Sequence, residues 1–125
     1  MNCPASIVSL RVESSGSLIA NRARIARTWV ARIQGLLGTQ TLPPGEALII
    51  DPCTSVHMLF MKYAIDVLFC SNDGTVIYTC RQLRPWRFSP LVLRGRYVVE
   101  LPAGTVDAFR INEGDRILWE DDRRE

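Results

Sequence analysis

The sequence predicts a single, mainly β domain: a sandwich or barrel of about eight short strands with one short helix near residues 28–37. Three observations carry this. Short apolar runs of strand length alternate with turn signals along most of the chain. Only one stretch, around Trp29 to Leu37, changes to helical spacing. A chain of 125 residues that is 47% hydrophobic and 22% charged can bury a core of its own, which excludes wholesale disorder.

Taken in order, Ile7 to Val12 alternates loosely and reads as a strand, broken by Ser14-Ser15-Gly16-Ser17. Leu18 to Ala20 and Ala23 to Ala26 read as two short strands joined near Asn21 and Arg22. Thr28 is a fitting helix cap. Trp29, Val30, Ile33, Leu36 and Leu37 then share one helical face, with Arg32 and Gln34 pointing away. Gly35 weakens that helix by about 1 kcal/mol relative to alanine and suggests close packing or an early end, with Gly38 the favoured stop.

Pro43-Pro44-Gly45 is a loop, and Ala47 to Ile50 is a buried strand ended by Pro52. His57 to Met61 is apolar enough for another strand, and Ile65 to Cys70 is a further one. Asn72-Asp73-Gly74 reverses the chain into Val76 to Arg81, the best hairpin signal present. Arg84 to Pro90 is an irregular basic and aromatic loop. Tyr97 to Leu101 is a strand ended by Pro102, and Val106 to Phe109 forms a helical turn after Gly104. Arg116 to Glu120 is the last strand, and residues 121–125 read as a flexible, mixed-charge tail.

The net charge of +2 is too small to imply a polyanionic partner, so nucleic acid is not expected. Arginines 11, 22, 24, 27 and 32 load the first third against Glu13 alone, which reads as a solvated basic face. No run approaches the ~20 apolar residues that span a bilayer, and the N-terminus lacks the features of a secretory signal. The expectation is a cytoplasmic protein. Cysteines 3, 53, 70 and 80 show no CxxC pair. In a hairpin centred on Asp73-Gly74, Cys70 faces Ile77 and Cys80 faces Val67. The two sulfurs then lie on opposite faces, and no disulfide between them is expected.

The candidate chemistry sits in Asp51 to Phe69, where Cys53, His57, Met58, Met61 and Asp66 are embedded in apolar residues. Such groups are costly to bury without partners, so they mark either a well-satisfied core or a site.

Several fragments also line up in order: Gly35-Leu36-Leu37, the run through His57, Met58, Met61, Ala64, Ile65 and Asp66, then Glu100 to Gly104, then Gly114-Asp115. Together they resemble the DUF192 family, also called UPF0127, over about residues 28–118. Ala64 stands where the family typically has proline. The resemblance implies a compact, mainly β fold related in outline to jelly-roll-like sandwiches. It implies no established activity and names no cofactor.

Three functional readings follow. The leading one is a non-enzymatic binding or accessory domain for a small anionic or peptide ligand, in a cleft near His57 and Asp66. The candidate ligand-binding residues are Cys53, His57, Met61, Asp66, Arg84 and Trp86. The second is a soft-metal site for copper or zinc through Cys53, His57 and Met61. A straight strand would spread these three over about 13 Å on each side of His57, so a bend or a helical turn after Pro52 is required. The third is a hydrolase-like acid–base pair of His57 and Asp66, for which the sequence shows no nucleophile. The Arg84-Pro85-Trp86-Arg87-Phe88 loop offers cations beside aromatic faces, which can stack bases and contact phosphates as a fourth, weaker reading or serve a groove for a protein partner, or else it simply anchors to the core.

Overall fold

Parallel pairing in a mainly antiparallel sheet requires a long crossover, and residues 27–45 supply it here. The computed structural model describes residues 7–121; Cys3 and residues 122–125 of the expected tail lie outside them. The strands are β1 (Ile7–Val12), β2 (Leu18–Ala26), β3 (Glu46–Ile50), β4 (Ile65–Cys70), β5 (Val76–Leu83), β6 (Tyr97–Pro102) and β7 (Ile117–Asp121). The helices are α1 (Trp29–Gln34) and α2 (Thr105–Ala108). The strands form one sheet in the order β5-β4-β6-β3-β2-β1-β7. Among the described residues only β2 and β3 are parallel, with the crossover and α1 between them.

The sheet curls until its edges approach. Thr75 bridges Arg116, Val76 N–H donates to the Asp115 carbonyl at 2.7 Å, and Ile117 N–H donates to the Gly74 carbonyl at 2.9 Å. The result is a half-barrel with two apolar layers. Leu10, Ala23, Ile49, Leu68, Val99, Val106 and Ile117 pack in one layer. Leu48, Ile50, Ile65, Val67, Phe69 and Val98 pack in the other, under Leu36, Leu42, Val56, Met58 and Met61. Alternate residues of β3, β4 and β6 thus enter different layers, which is why these strands read as unbroken apolar runs.

The mainly β class holds, with seven strands among the described residues. Two differences account for the count. Leu18 to Ala26 is one strand, because Asn21 and Arg22 together oppose Ser9 as a bulge, between the pairs Val8↔Ala23 and Leu10↔Ala20. Both of their N–H groups donate to the Gly45 carbonyl at 3.0 Å, which keeps the chain tied to its neighbour through the bulge.

The expected strand from His57 to Met61 is an irregular loop. His57 makes a single bridge to Phe88, and the chain then turns, with Met61 N–H donating to the Met58 carbonyl and Phe60 at φ 65°.

The helix also differs. Thr28 caps it as expected, its hydroxyl accepting from Ala31 N–H at 3.1 Å. It stops at Gly35 rather than Gly38, because Gly35 takes a positive φ of 50°. Its apolar face is not buried: Trp29, Val30 and Ile33 are exposed, while Leu36 beyond the helix enters the core and Leu37 packs partly against it. In the hairpin Cys80 faces Val67 as expected, but a register shift after Phe69 sets Cys70 opposite Val76. Cys53, Cys70 and Cys80 are free thiols. Among the described residues no helix is long and apolar enough to cross a membrane.

Candidate functional site

A cleft of about 290 Å³ opens beside the layer under Met58. One wall is the end of α1 and the turn after it, with Arg32, Ile33 and Gly35 to Leu37. The other wall is the loop from Pro52 to Met61, with Cys53, Ser55, Val56, His57, Met58 and Met61. The floor is Ile50 of β3, Ile65 of β4 and Glu100 of β6. Wall and floor meet here because the apolar residues of the 52–61 loop must cover the outer face of β4, β6 and β3.

Glu100 is 5% exposed and sits between Leu48 and Val67 on the neighbouring strands. No hydrogen-bond partner reaches its carboxyl among the described residues. Burial alone pushes that carboxyl up to about 7. Arg32 is the second poorly satisfied group. Its Nε is buried with no hydrogen-bond partner, and its terminal nitrogen reaches only the Pro52 carbonyl at 3.5 Å. Its guanidinium lies 5.6 Å from the centre of the Trp29 ring. The sequence does carry a signal for Glu100, a lone carboxylate inside the apolar run Val98-Val99-Glu100-Leu101. Arg32 carried no such signal, because it lies opposite the apolar face of α1.

The residues singled out from sequence fall into three places. Cys53, His57 and Met61 all line the cleft. The Cys53 thiol is half-buried and donates to the Ser55 carbonyl at 3.0 Å, and burial pushes its pKa up. Among the described residues no three His, Cys, Asp or Glu side chains converge as a metal-holding group.

Asp66 lies outside the cleft lining. It is buried, and its carboxylate accepts from the N–H groups of Gln82 at 2.8 Å, Gly104 at 3.1 Å and Val106 at 2.8 Å. It thus ties β5 and the start of α2 to β4, a structural use away from the cleft that His57 lines. Arg84 and Trp86 are exposed and do not line the cleft. Their segment runs beside the cleft wall, with Trp86 N–H donating to the Met58 carbonyl at 2.7 Å and the Trp86 ring 4.8 Å from that of Phe60.

The family model for DUF192, described as "Uncharacterized ACR, COG1430", matches residues 10–119, nearly the whole described sheet. The chain belongs to the DUF192 family. A UPF0127 protein of Thermococcus sibiricus is 32% identical over 112 residues, which is 86% of this chain and 72% of that protein. A UPF0127 protein of Pyrococcus furiosus is 32% identical over 111 residues, 85% of this chain and 93% of that protein. A solved structure of a protein of unknown function from Novosphingobium aromaticivorans superposes with a TM-score of 0.78 at 22% identity, covering 90% of this chain and 84% of that one. It supports the fold alone. The DUF192 match begins at residue 10 and so takes in the second half of β1 and all of β2, which lie before the stretch from 28 to 118 that carries the resemblance in the sequence.

Proposed function

We propose that this DUF192 chain is a non-enzymatic binding domain whose cleft takes an amino-acid-like or short peptide ligand. The ligand has an apolar body, a donor or ammonium group for Glu100 and an acceptor for Arg32. The observation that carries the reading is Glu100: a buried carboxyl without a hydrogen-bond partner, on the floor of an open apolar cleft. Buried polar groups in folded proteins are almost always paired, and an unpaired one requires an explanation. A ligand head group is the partner that this position lacks. Ile33, Leu37, Val56, Met58 and Met61 supply the apolar wall that a small ligand buries against. A binding role is favoured over an acid–base enzyme because both oxygens of Asp66 are engaged by backbone donors elsewhere.

The test is a thermal-shift and calorimetric panel of apolar amino acids, dipeptides and tripeptides, each with its N-acetylated and C-amidated analogue. Binding is expected with the free ammonium form and is lost on N-acetylation, in Glu100→Gln and in Arg32→Ala. An ammonium beside Glu100 favours the carboxylate, so binding near neutral pH releases protons, whereas an anionic head group would take protons up. Comparing binding heats in buffers of different ionisation enthalpy reads that sign. A panel without a hit, or a hit indifferent to both substitutions, overturns the reading.

A further inference from the structure

Eight of the eleven large apolar side chains that stand exposed lie on three segments flanking the cleft: 27–41, 52–65 and 84–97. None of these segments contains an aspartate or a glutamate. Four of the eight are aromatic: Trp29, Phe60, Trp86 and Phe88. The same segments carry Lys62, Arg84, Arg87 and Arg94, all exposed and without an ion pair among the described residues.

We infer that the rims of the cleft form a docking face for an anionic lipid surface. The side chains are held out by ordered backbone. Met58 N–H donates to the Arg87 carbonyl at 2.8 Å, Ser89 N–H to that of Val56 at 2.8 Å, and Val92 N–H to that of Thr54 at 2.8 Å, so 84–93 is fastened along 54–58. Phe60 and Trp86, whose rings touch, both take positive φ, 65° and 67°. That conformation is unfavourable for bulky residues, and here it is kept at two adjacent aromatic positions that remain exposed.

Charge complementarity selects the occupant. A second copy of the chain would bring one cationic face against another. A lipid surface with anionic head groups matches both features. Aromatic rings settle at head-group depth, and arginines reach phosphates with their stems along the apolar boundary. Of the eight apolar side chains, only Ile33 lines the cleft. The others face outward, which suits a broad surface better than an inserted peptide.

The experiment is co-sedimentation and tryptophan emission with vesicles of phosphatidylcholine alone, or mixed with phosphatidylglycerol. A Trp29→Phe background leaves Trp86 as the exposed reporter. Binding is expected only with phosphatidylglycerol, with a blue-shifted emission, and weakens with added salt. Arg84→Glu with Arg87→Glu is expected to weaken it about tenfold or more. Trp86→Ala with Phe88→Ala is expected to weaken it while the protein stays folded, its thermal midpoint lowered only slightly by loss of the Phe60 contact. Three results overturn the proposal: no co-sedimentation at low salt, binding unaltered by loss of the two aromatics, or binding to an acidic apolar peptide with none to vesicles. Glu100→Gln should leave vesicle binding intact, so this inference and the cleft reading fail separately.

Discussion

Asp66 and Glu100 stand one register step apart on paired strands and project to opposite faces of the same sheet. Asp66 pairs with Leu101, and Glu100 pairs with Val67. They are the buried charged residues among those described. Asp66 points into the layer that holds Leu68 and Leu101, where three backbone donors converge on it. Glu100 points into the layer that holds Val67 and Val98, where it is offered none. One carboxyl is therefore consumed by the fold, and the other is left to the cleft.

The Glu100 carboxyl makes stability fall as pH rises. Burial lifts its pKa from an ordinary 4.5 to about 7. The folded state binds this proton more tightly than the unfolded chain does. The stabilisation is therefore fully present below about pH 4.5 and is lost as pH rises through about 7. The difference corresponds to about 3 kcal/mol, at about 1.4 kcal/mol per pK unit. Urea denaturation of the wild type and of Glu100→Gln, compared from pH 4.5 to 8, reads this directly. The variant should become the more stable of the two at pH 8. Parallel curves would show that the carboxyl is not desolvated in the fold.

Asp66 carries the opposite expectation. Asp66→Ala leaves three N–H groups without their acceptor, and each unsatisfied donor costs about 1–3 kcal/mol. The loss in urea unfolding free energy should be at least about 3 kcal/mol. Asp66→Asn keeps one acceptor oxygen and should fall between the two. A loss below about 1 kcal/mol for the alanine variant would mean that water reaches these donors readily.

How much of this was legible in the sequence follows from the range of the forces involved. The Asn72-Asp73-Gly74 hairpin and the Thr28 cap are local devices. Asp73 takes the Ser71 hydroxyl and Thr75 N–H, and those bonds pull its carboxyl down to about 2. The alternation that buries β4 on both faces is also local, and so is Asp66's place on the face of Leu68 and Cys70. The His57 segment was misread because apolar content measures burial rather than strand pairing. Met58 and Met61 are buried, yet they cover a sheet instead of joining it. The exposed face of α1 was unreadable for the same reason: helical spacing locates an apolar stripe without saying what lies against it. Glu100 and Arg32 meet at one cleft only through the parallel crossover and the pairing of β3 with β6, which are long-range relations.

The seam where the curled sheet nearly closes depends on the absence of a side chain at Gly74. A Cβ there would stand 2.5 Å from the Ile117 carbonyl oxygen, at a φ of +92°. Gly16 has a comparable φ of +71° but open space around it. Gly16→Ala should therefore cost only the backbone term, about 1–2 kcal/mol. Gly74→Ala should cost clearly more, about 3 kcal/mol or above, because the strand-to-strand contact must also shift. Equal losses for the two variants would remove the argument that the edges meet there.

The free thiols give a map of the same architecture. Cys70 is fully buried, and its pKa is pushed up to about 12, chiefly by burial. Cys53 and Cys80 are half-buried, with pKa values raised by burial. In a Cys3→Ser background, a thiol reagent should modify Cys53 and Cys80 slowly in the native protein, and faster as pH rises, since the thiolate is the nucleophile. Cys70 should react only after unfolding. Because Cys53 lines the cleft and Cys80 does not, a cleft ligand should slow modification at Cys53 and leave Cys80 unchanged. Peptide mapping of the labelled sites at several pH values separates these cases. Protection of both cysteines to the same degree would indicate general stabilisation of the fold, and would place the ligand somewhere other than above Glu100.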